Sequence, residues 1–263
     1  MAVSQEKTIH ISIVIVNYKT NELVLKLLNA LPHQHNAEII VVDNSPEQTL
    51  GEDIKKKYPD TKYVYSGENL GFAGGNNKGI ERAKGEWVFL LNSDTMTTWD
   101  AIYELVKTTE KNNYFVSAPA LGNKGIPEHN VGYFDSLLKS PANYLLARPR
   151  MIDGSNIQKP IAVDIATGAA LLVRSSVFKH IGLLDDTSYF MYFEDIDFCY
   201  RLHAAGIKIL YIPQAHVTHY GGGSSNKDHQ QKNTNYLNGL RTYLKKHRGP
   251  LICMLNDKLK LFH

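Results

Sequence analysis

The stretch Ile11-Ser12-Ile13-Val14-Ile15-Val16 decides the fold class of this 263-residue chain. Five of these six residues are β-branched and apolar, which is typical of a strand buried on both faces of a sheet. Strand and helix patterns alternate from here to about residue 91, and this order predicts an α/β fold with a mostly parallel central sheet flanked by helices. The elements expected next are helices at Glu22–Leu31, Gln48–Tyr58 and Gly71–Ala83, and strands at Glu38–Val42, Lys62–Tyr65 and Trp87–Leu91.

The second half of the chain has a less regular pattern. Scattered Gly, Pro and Asn residues from about residue 112 to 160 indicate irregular structure or an insertion. The elements expected beyond it are strands at Gly168–Val173 and Ile207–Ile212, helices at Ser175–Ile181 and Glu194–Ala205, a Gly-rich loop at Gly221–Ser225 and an amphipathic helix near Asn233–His247.

Charge, cysteine content and hydropathy exclude several classes of protein. The net charge of +3 is too small to indicate nucleic-acid binding. Cys199 and Cys253 form neither a disulfide framework nor a metal knuckle, which favours a reducing, cytoplasmic compartment. Residues 1–10 lack the apolar region of a secretory signal, and no apolar run approaches the roughly 20 residues needed to cross a bilayer. Positive charge concentrates between Arg241 and Lys260, where contact with an anionic membrane and an ordinary solvated helix face are both open interpretations.

Polar side chains follow each of the four strands predicted in the first half. In open α/β sheets, ligands bind beyond the carboxyl ends of the strands. Any one of these residues could equally cap a helix or form a turn, but their occurrence at all four ends favours a binding site. The residues are Asn17 and Tyr18; Asp43, Asn44 and Ser45; Asn69, Leu70 and Gly71; and Asn92, Ser93 and Asp94.

Two of these strand ends suggest metal and phosphate chemistry. Asp94 places a carboxylate at a sheet edge, where it could bind a hard divalent cation, although Asn-Ser-Asp is also a common turn sequence. The segment Asn69–Gly79 opens a helix with small residues and matches neither the dinucleotide fingerprint nor the P-loop. Its glycines would let a flat ring or a diphosphate approach closely, or would serve close helix packing, and both interpretations stay open.

The segment Tyr192–Phe198 concentrates the carboxylates of Glu194, Asp195 and Asp197. Acidic residues at a helix start are favoured by the helix dipole, which is the structural explanation. The surrounding aromatic residues would also desolvate a carboxylate and raise its basicity, which favours a functional role. Further along the chain, His216 and His219 precede the Gly-rich loop, and histidine is a frequent metal ligand. The alternative is that His216 is a surface residue and that the glycines form a flexible linker.

Taken in order, these segments resemble the family 2 glycosyltransferases, and in particular their rhamnosyltransferase-like branch. The resemblance runs from about residue 11 to residue 225; each motif alone is modest, and the ordered set is specific. The motifs are Val14–Tyr18 (V-I-V-N-Y), Val41–Ser45 (V-V-D-N-S), Asn69–Gly79 (N-L-G-F-A-G-G-N-N-K-G), Leu90–Asp94 (L-L-N-S-D), Thr167–Arg174 (T-G-A-A-L-L-V-R), Glu194–Arg201 (E-D-I-D-F-C-Y-R), Gly206–Pro213 (G-I-K-I-L-Y-I-P) and His219–Ser224 (H-Y-G-G-G-S).

The resemblance implies a Rossmann-like nucleotide-diphosphosugar (GT-A) fold and an inverting transfer of one sugar from a nucleoside-diphosphate sugar to an acceptor hydroxyl. It implies that Asp195 is the catalytic base, and that Asp94 and His219 hold Mg²⁺ or Mn²⁺ against the departing diphosphate. The implied donor-binding residues are Asn17, Tyr18, Asp43, Asn44, Asn69, Gly75, Asn76, Asn77, Ser93 and Asp94. The implied supporting residues are Asn92, Gly168, Glu194, Asp197 and Arg201, the last as a structural residue or a diphosphate partner.

The sequence departs from the family pattern at two positions. Asn92 stands where aspartate is expected and Ser93 where proline is frequent, so metal binding would depend mainly on Asp94 and His219. Since the Q-x-x-R-W motif of processive synthases is missing from the sequence, single or limited sugar addition is expected. The implied partners are a dTDP-rhamnose or UDP-sugar donor and a glycan or lipid-linked acceptor in bacterial cell-surface polysaccharide synthesis.

The resemblance also implies a division of the chain. A catalytic domain at 1–225 would comprise a donor-binding half (about 9–111) and an acceptor half (about 112–225), followed by a basic helical extension at 226–263. The protein would lie in the cytoplasm or at the inner face of the membrane. Two other classes stay open, a non-catalytic nucleotide-sugar-binding subunit and a nucleotidyltransferase on a related fold. The retained Asp94, Asp195 and His219 argue against the first, and release of a nucleoside diphosphate rather than pyrophosphate would exclude the second.

Overall fold

The computed structural model describes residues 10–135, 149–221 and 229–259 of the chain. Every strand and helix predicted in the first half is present, with ends shifted by at most a few residues, and the α/β fold is confirmed. The elements are β1 (Ile11–Asn17), α1 (Asn21–Ala30), β2 (Ala37–Asp43), α2 (Thr49–Lys57), β3 (Lys62–Tyr65), α3 (Gly71–Ile80) and β4 (Trp87–Asn92).

The second half contains more regular structure than the sequence pattern predicts. Its first part has β5 (Thr95–Met96), α4 (Trp99–Lys111), β6 (Val116–Asn123), β7 (Ile126–Pro127), β8 (Val131–Tyr133), β9 (Arg150–Ile152), a 3₁₀ turn (Gly154–Asn156), β10 (Ile161–Val163) and β11 (Ile165–Ala166). Its second part has β12 (Ala170–Arg174), α5 (Ser175–Ile181), α6 (Glu194–Ala204), β13 (Ile209–His219), α7 (His229–Arg248) and α8 (Pro250–Leu259).

A ten-stranded, mostly parallel sheet forms the centre of the molecule. Its main order is β10-β13-β6-β12-β4-β1-β2-β3, while β5 pairs with β13 and β7 with β6. Strand β1 pairs in parallel with β2 and β4, whereas β12 runs antiparallel to its two neighbours. The strands β11, β8 and β9 form a separate small sheet. Because parallel strands end at the same edge, the polar residues that follow β1, β2 and β4 lie next to one another.

The expectation of irregular structure from about residue 112 to 160 is wrong for the central strand β6. This strand lies between β12 and β13, and its sequence V-S-A-P-A-L-G-N mixes proline and glycine with small residues. Pro119 has no N–H for the ladder, and the register with β13 shifts just beyond its partner Ile212. Such an interruption hides a strand from pattern analysis. Residues 136–148 of this region lie outside the described residues.

Helices cover both faces of the sheet, and β1 contributes to the core on each. Ile11, Ile13 and Ile15 pack on one face with the apolar residues of α1, α2 and α4. Val14 packs on the other face with residues of α3, α5 and α6. The buried character of both faces explains why this strand is apolar almost without interruption.

The C-terminal residues form two helices where the sequence predicts one. Leu240, Tyr243 and Leu244 of α7 pack with Cys253 of α8 and with Phe193, just before α6. The predicted Gly-rich loop lies outside the described residues from residue 222 onward, as does the proposed domain boundary near 226. Within 10–135, 149–221 and 229–259, no helix is both long and apolar enough to span a membrane.

Candidate active site

A cavity of about 310 Å³ opens where β1 and β4 end and α6 begins. Asp94, Asp195 and His219, which are far apart in the sequence, all line it. The other predicted site residues on its wall are Tyr18, Asn44, Asn69, Asn92, Ser93, Gly168 and Glu194. The remaining lining residues are Val16, Gly71, Phe72, Thr167, Ala169, Met191, Tyr192 and Lys232.

His219 contacts a carboxylate on each side of its ring. It lies at the end of β13, where pairing with β5 sets it opposite Thr95 and therefore beside Asp94. Its Nε2 is 3.4 Å from Asp94 Oδ1, and its Nδ1 is 2.9 Å from Glu128 Oε2. The hydrogen bond with Asp94 is the main reason why the pKa of His219 is raised to about 9, with Glu128 adding to the shift and burial opposing it.

Asp94 and His219 could supply two ligands to a divalent cation. Glu128 contacts the opposite ring nitrogen, so a cation between Asp94 and Nε2 would lie outside its reach. No cluster of three or more histidine, cysteine or carboxylate side chains that could hold a metal ion occurs in the described ranges of the chain. The pair therefore fits Mg²⁺ or Mn²⁺ bound by few protein groups, with water and substrate phosphates as the other ligands.

Asp195 lies in the first turn of α6 with its carboxylate held in a fixed orientation. Its Oδ2 accepts a hydrogen bond from the backbone N–H of Gly168 (2.9 Å), and its Oδ1 accepts one from that of Ile196 (2.8 Å). Although the side chain borders the cavity, the surrounding protein atoms raise its pKa by burial, against the opposing effect of these hydrogen bonds. A fixed carboxylate of raised basicity is suited to accept a proton from a ligand hydroxyl.

Three polar atoms on residues of the cavity wall are buried without a hydrogen-bond partner. They are Asn44 Oδ1, Thr167 Oγ1 and Glu194 Oε2, half of the six such atoms in the described part of the chain. The Asn44 amide is oriented by donation from Nδ2 to the carbonyl of Gly71 (2.9 Å), which leaves Oδ1 as a hydrogen-bond acceptor. Leaving a buried polar atom unpaired costs about 1–3 kcal/mol. Their concentration here indicates that the cavity is shaped for a polar ligand.

Comparison with known proteins identifies the family. The sequence profile described as glycosyl transferase family 2 matches residues 12–182. The chain belongs to glycosyl transferase family 2. This family 2 chain is 35% identical over 204 residues to "Low-salt glycan biosynthesis hexosyltransferase Agl10" of Haloferax volcanii, covering 76% of this chain and 63% of that protein. It is 29% identical over 219 residues to "Rhamnosyltransferase WbbL" of Escherichia coli K12, and this match covers 79% of this chain and 82% of that protein.

A solved structure confirms the GT-A fold of this family 2 chain. The crystal structure of GalNAc-T7 with UDP, GalNAc and Mn²⁺ superposes with a TM-score of 0.69 at 17% sequence identity. The superposition covers 90% of this chain and 48% of that protein, so the chain spans about half the length of GalNAc-T7 and under two thirds of Agl10.

Asn17 and Asp43 of this family 2 chain lie behind the cavity wall rather than on it. Both side chains are fully buried. Asn17 Nδ2 donates to Asp43 Oδ1 (2.8 Å), and Asp43 Oδ2 accepts from the hydroxyl of Tyr63 (2.8 Å). These bonds tie together the ends of β1, β2 and β3. In this structure the two side chains therefore shape the sheet edge, and their direct contact with a donor stays a prediction.

The small and amide residues of α3 serve packing rather than the cavity wall. A Cβ atom on Gly75 would lie 2.7 Å from Val16 Cγ1, so glycine permits the helix to approach β1. Asn77 exchanges two hydrogen bonds with the backbone of Leu184, and Asn76 Nδ2 donates to the carbonyl of Phe72. Of the two interpretations left open for this segment, close helix packing applies to Gly75, Asn76 and Asn77.

Asp197 and Arg201 also lie away from the cavity. Asp197 is fully buried and accepts a hydrogen bond from Arg201 Nε (2.8 Å). The guanidinium of Arg201 donates further to the carbonyls of Ile181 and Leu183. With these donors directed to protein groups, Arg201 has the structural role of the two that the sequence suggests.

Several residues on the cavity wall or directly behind it were not predicted. Thr167 and Tyr192 stand inside motifs that the sequence displays, so the predicted residues beside them in those motifs could have pointed to them. Glu128 and Lys232 belong to no motif. They reach the site through the pairing of β6 with β7 and through the docking of α7, which are long-range contacts.

Proposed function

We propose that this family 2 protein is an inverting glycosyltransferase that moves a single sugar from a nucleoside-diphosphate sugar to an acceptor hydroxyl. The observation that carries the proposal is the sharing of one cavity by the Asp94–His219 pair and by Asp195. The pair is suited to a cation beside a diphosphate, and Asp195 is suited to deprotonate a hydroxyl. Sugar transfer from an activated donor needs both groups around the same anomeric carbon.

Asp94 and His219 would hold Mg²⁺ or Mn²⁺. When bound, such a cation neutralises negative charge that develops on a leaving diphosphate. Lys232, which lines the same cavity from α7, adds a second positive charge near the phosphates. Glu128 would hold His219 through Nδ1, so that Nε2 faces Asp94 and the cation.

Asp195 would act as the general base. Its carboxylate takes the proton from the acceptor hydroxyl while the acceptor oxygen forms a bond to the anomeric carbon. The bond from that carbon to the phosphate oxygen breaks, and the nucleoside diphosphate leaves with the electron pair. Attack opposite to the leaving group inverts the anomeric configuration. The hydrogen bonds from the N–H groups of Gly168 and Ile196 keep the carboxylate oriented for this step.

The donor would contact the wall formed by β1, β2 and the start of α3. Tyr18, Asn44 and Asn69 are the polar residues there that border the cavity, with Ser93 beside Asp94. Thr167 and Glu194 offer unpaired polar atoms for sugar hydroxyls. We propose dTDP-rhamnose as donor, because the relative WbbL is named a rhamnosyltransferase, with UDP-sugars as the alternative. A thermal-shift screen of both donor types with and without Mn²⁺ would identify the base and the sugar.

The acceptor would be a glycan or lipid-linked sugar in the synthesis of a cell-surface polysaccharide. The donor half of the catalytic domain would extend to about residue 111, and the acceptor half would follow it. Helices α7 and α8 would bring the protein to an anionic membrane surface, because α8 exposes Leu251 (61%) and Met254 (47%) and the end of α7 exposes the basic residue Lys245.

Substitution of the base tests the proposal. We expect Asp195→Asn to lower kcat by about 10²–10⁴-fold, since an amide cannot accept the proton. The measurement is release of nucleoside diphosphate from dTDP-rhamnose or UDP-glucose, with Mn²⁺ and a panel of octyl glycosides as acceptors. Asp100→Asn, at an exposed aspartate on α4, is the matched control. Wild-type turnover in the Asp195→Asn variant, or release of pyrophosphate by the wild type, would contradict the proposed reaction.

A further inference from the structure

The turn that leads into Asp195 has an unusual backbone. Tyr192 and Phe193 both have positive φ angles, of 70° and 72°, and neither is glycine. Two consecutive bulky residues in the left-handed region are rare, and such a conformation persists only where the surrounding structure holds it. Since Glu194 and Asp195 follow directly, whatever holds this turn also determines where the carboxylate of Asp195 lies.

Helix α7 contacts this turn at a glycine. Gly239 is buried, and a Cβ atom at this position would lie 2.5 Å from the carbonyl oxygen of Tyr192 and 3.1 Å from the ring of Phe193. The first of these neighbours is backbone and cannot rotate away. On either side of the glycine, Tyr236 and Tyr243 pack on the ring of Phe193, with centroid distances of 5.2 Å and 5.7 Å.

The end of the same helix is attached to the first turns of α6 by an ion pair and by a histidine contact. His247 Nε2 lies 2.8 Å and Lys246 Nζ 2.7 Å from Asp197 Oδ1, which is fully buried. Lys246 also reaches Asp185 Oδ2 at 2.8 Å. The buried carboxylate of Asp197 is compensated by these partners, so the contacts fix α7 relative to α6.

We propose that α7 is a positioning element for Asp195, with Gly239 as the residue that admits the left-handed turn and the Lys246–Asp197 contact as its second attachment. The inference rests on the proposed role of Asp195 as general base. It assigns to α7 a part in the chemistry besides any contact with a membrane. Helix α7 lies outside residues 12–182, the segment that the family profile matches.

Gly239→Ala is the test, with Asn238→Ala on the exposed side of the same helix as its control. In a helix without tertiary contacts, Gly→Ala raises stability. We expect instead that Gly239→Ala shifts the turn, lowers kcat by about ten- to hundredfold and leaves the KM for the donor unchanged. Hydrogen exchange of the amides of residues 189–197 should become faster in Gly239→Ala and stay as in the wild type in Asn238→Ala.

A folded Gly239→Ala protein with wild-type kcat and wild-type exchange at 189–197 would overturn the inference. If that variant does not fold, Lys246→Met decides, because this side chain is partly exposed and its removal leaves Arg201 and His247 on Asp197. We expect Lys246→Met to lower kcat severalfold with faster exchange at 194–197, and Lys246→Arg to restore both; wild-type behaviour of Lys246→Met overturns the inference. A wild-type protein that transfers no sugar would contradict the proposed function alone, since the exchange measurement is independent of activity.

Discussion

His219 is oriented by a residue that does not itself border the cavity. A carboxylate can only accept a hydrogen bond, so the contact with Glu128 requires a proton on Nδ1 of His219. The raised pKa of His219 keeps a second proton on Nε2 at neutral pH, and a cation bound at Nε2 would replace it. Nε2 is then the nitrogen that faces Asp94. Residues that orient a histidine ligand in this way typically affect metal affinity without touching the metal.

We therefore expect Glu128→Ala to weaken Mn²⁺ binding by about 10–100-fold, whereas Glu128→Gln, which keeps an acceptor oxygen, should retain most of the affinity. Calorimetric titration of Mn²⁺ in the presence of dTDP or UDP measures this without turnover. Glu52→Gln, at an exposed position on α2, is the control. Equal Mn²⁺ affinity in Glu128→Ala and the wild type would show that His219 needs no such support.

Glu194 is the second residue whose environment has a measurable consequence. Burial, and secondarily the neighbouring Asp195, raises its pKa from 4.5 to about 8. Because the folded-state pKa lies above the unfolded value, the contribution of this group to stability is complete below about pH 4.5 and is lost as the pH rises through 8. At neutral pH the carboxyl is mainly protonated and can donate a hydrogen bond.

Glu194→Gln resembles the protonated acid at every pH. We expect its free energy of unfolding to be close to that of the wild type near pH 4.5 and to exceed it at pH 9 by a difference on the order of 4 kcal/mol. Urea unfolding at the two pH values measures the difference. A stability difference that does not change between pH 4.5 and pH 9 would show that Glu194 titrates normally in the folded protein.

At the scale of elements, the position of α3 depends on glycines that face β1. A Cβ atom on Gly79 would overlap Cγ1 of Val14, and one on Gly75 would crowd Val16. The close approach brings the start of α3 and Asn69 to the cavity. The glycines thus contribute to the shape of the cavity wall through packing.

Gly79→Ala should lower the free energy of unfolding by about 1–3 kcal/mol, because a well-packed interface has no room for the methyl group. Combination with Val14→Ala should restore part of this loss, since the smaller residue makes room. Chemical denaturation of the two single variants and the double variant gives the coupling. Glu81→Ala, at the exposed end of the helix, should change stability little. Additive effects of Gly79→Ala and Val14→Ala would contradict this packing.

At the scale of the whole molecule, the C-terminal helices divide their basic residues between two environments. Lys246 and His247 contact Asp197 and hold α7 against α6. Lys245 is exposed, and α8 presents Leu251 and Met254 on its surface. The internal contacts reduce the charge available for a membrane, while the exposed apolar side chains favour insertion at its surface.

We expect the protein to sediment with anionic vesicles at low salt and to be released at high salt, because exposed charges are screened. Leu251→Ser combined with Lys245→Gln should abolish binding at low salt. Lys55→Gln combined with Lys56→Gln, at exposed lysines of α2, should not. No sedimentation of the wild type at low salt would exclude the membrane contact.

The sequence by itself determined the order of strands and helices in the first half and the family. Apolar periodicity and polar strand ends are local properties, and the geometry of a parallel sheet then places those ends together. This is why Asp94, Asn44 and Tyr18 could be predicted to meet at one edge. Strand β6 escaped prediction because Pro119 and its small residues interrupt the pattern on which such predictions depend.

The tertiary structure alone decided which polar side chains face the cavity. Asn44 borders it while the adjacent Asp43 points into the sheet edge, since neighbouring residues point in different directions and only the packed neighbours select one. Glu128 reaches His219, and Gly239 reaches the turn before Asp195, through contacts between segments that no local pattern connects. The physical reason is that the spacing of residues along the sequence indicates the period of helices and strands and the positions of turns. A site depends instead on distances between segments that are far apart in the sequence and meet only when the core is packed.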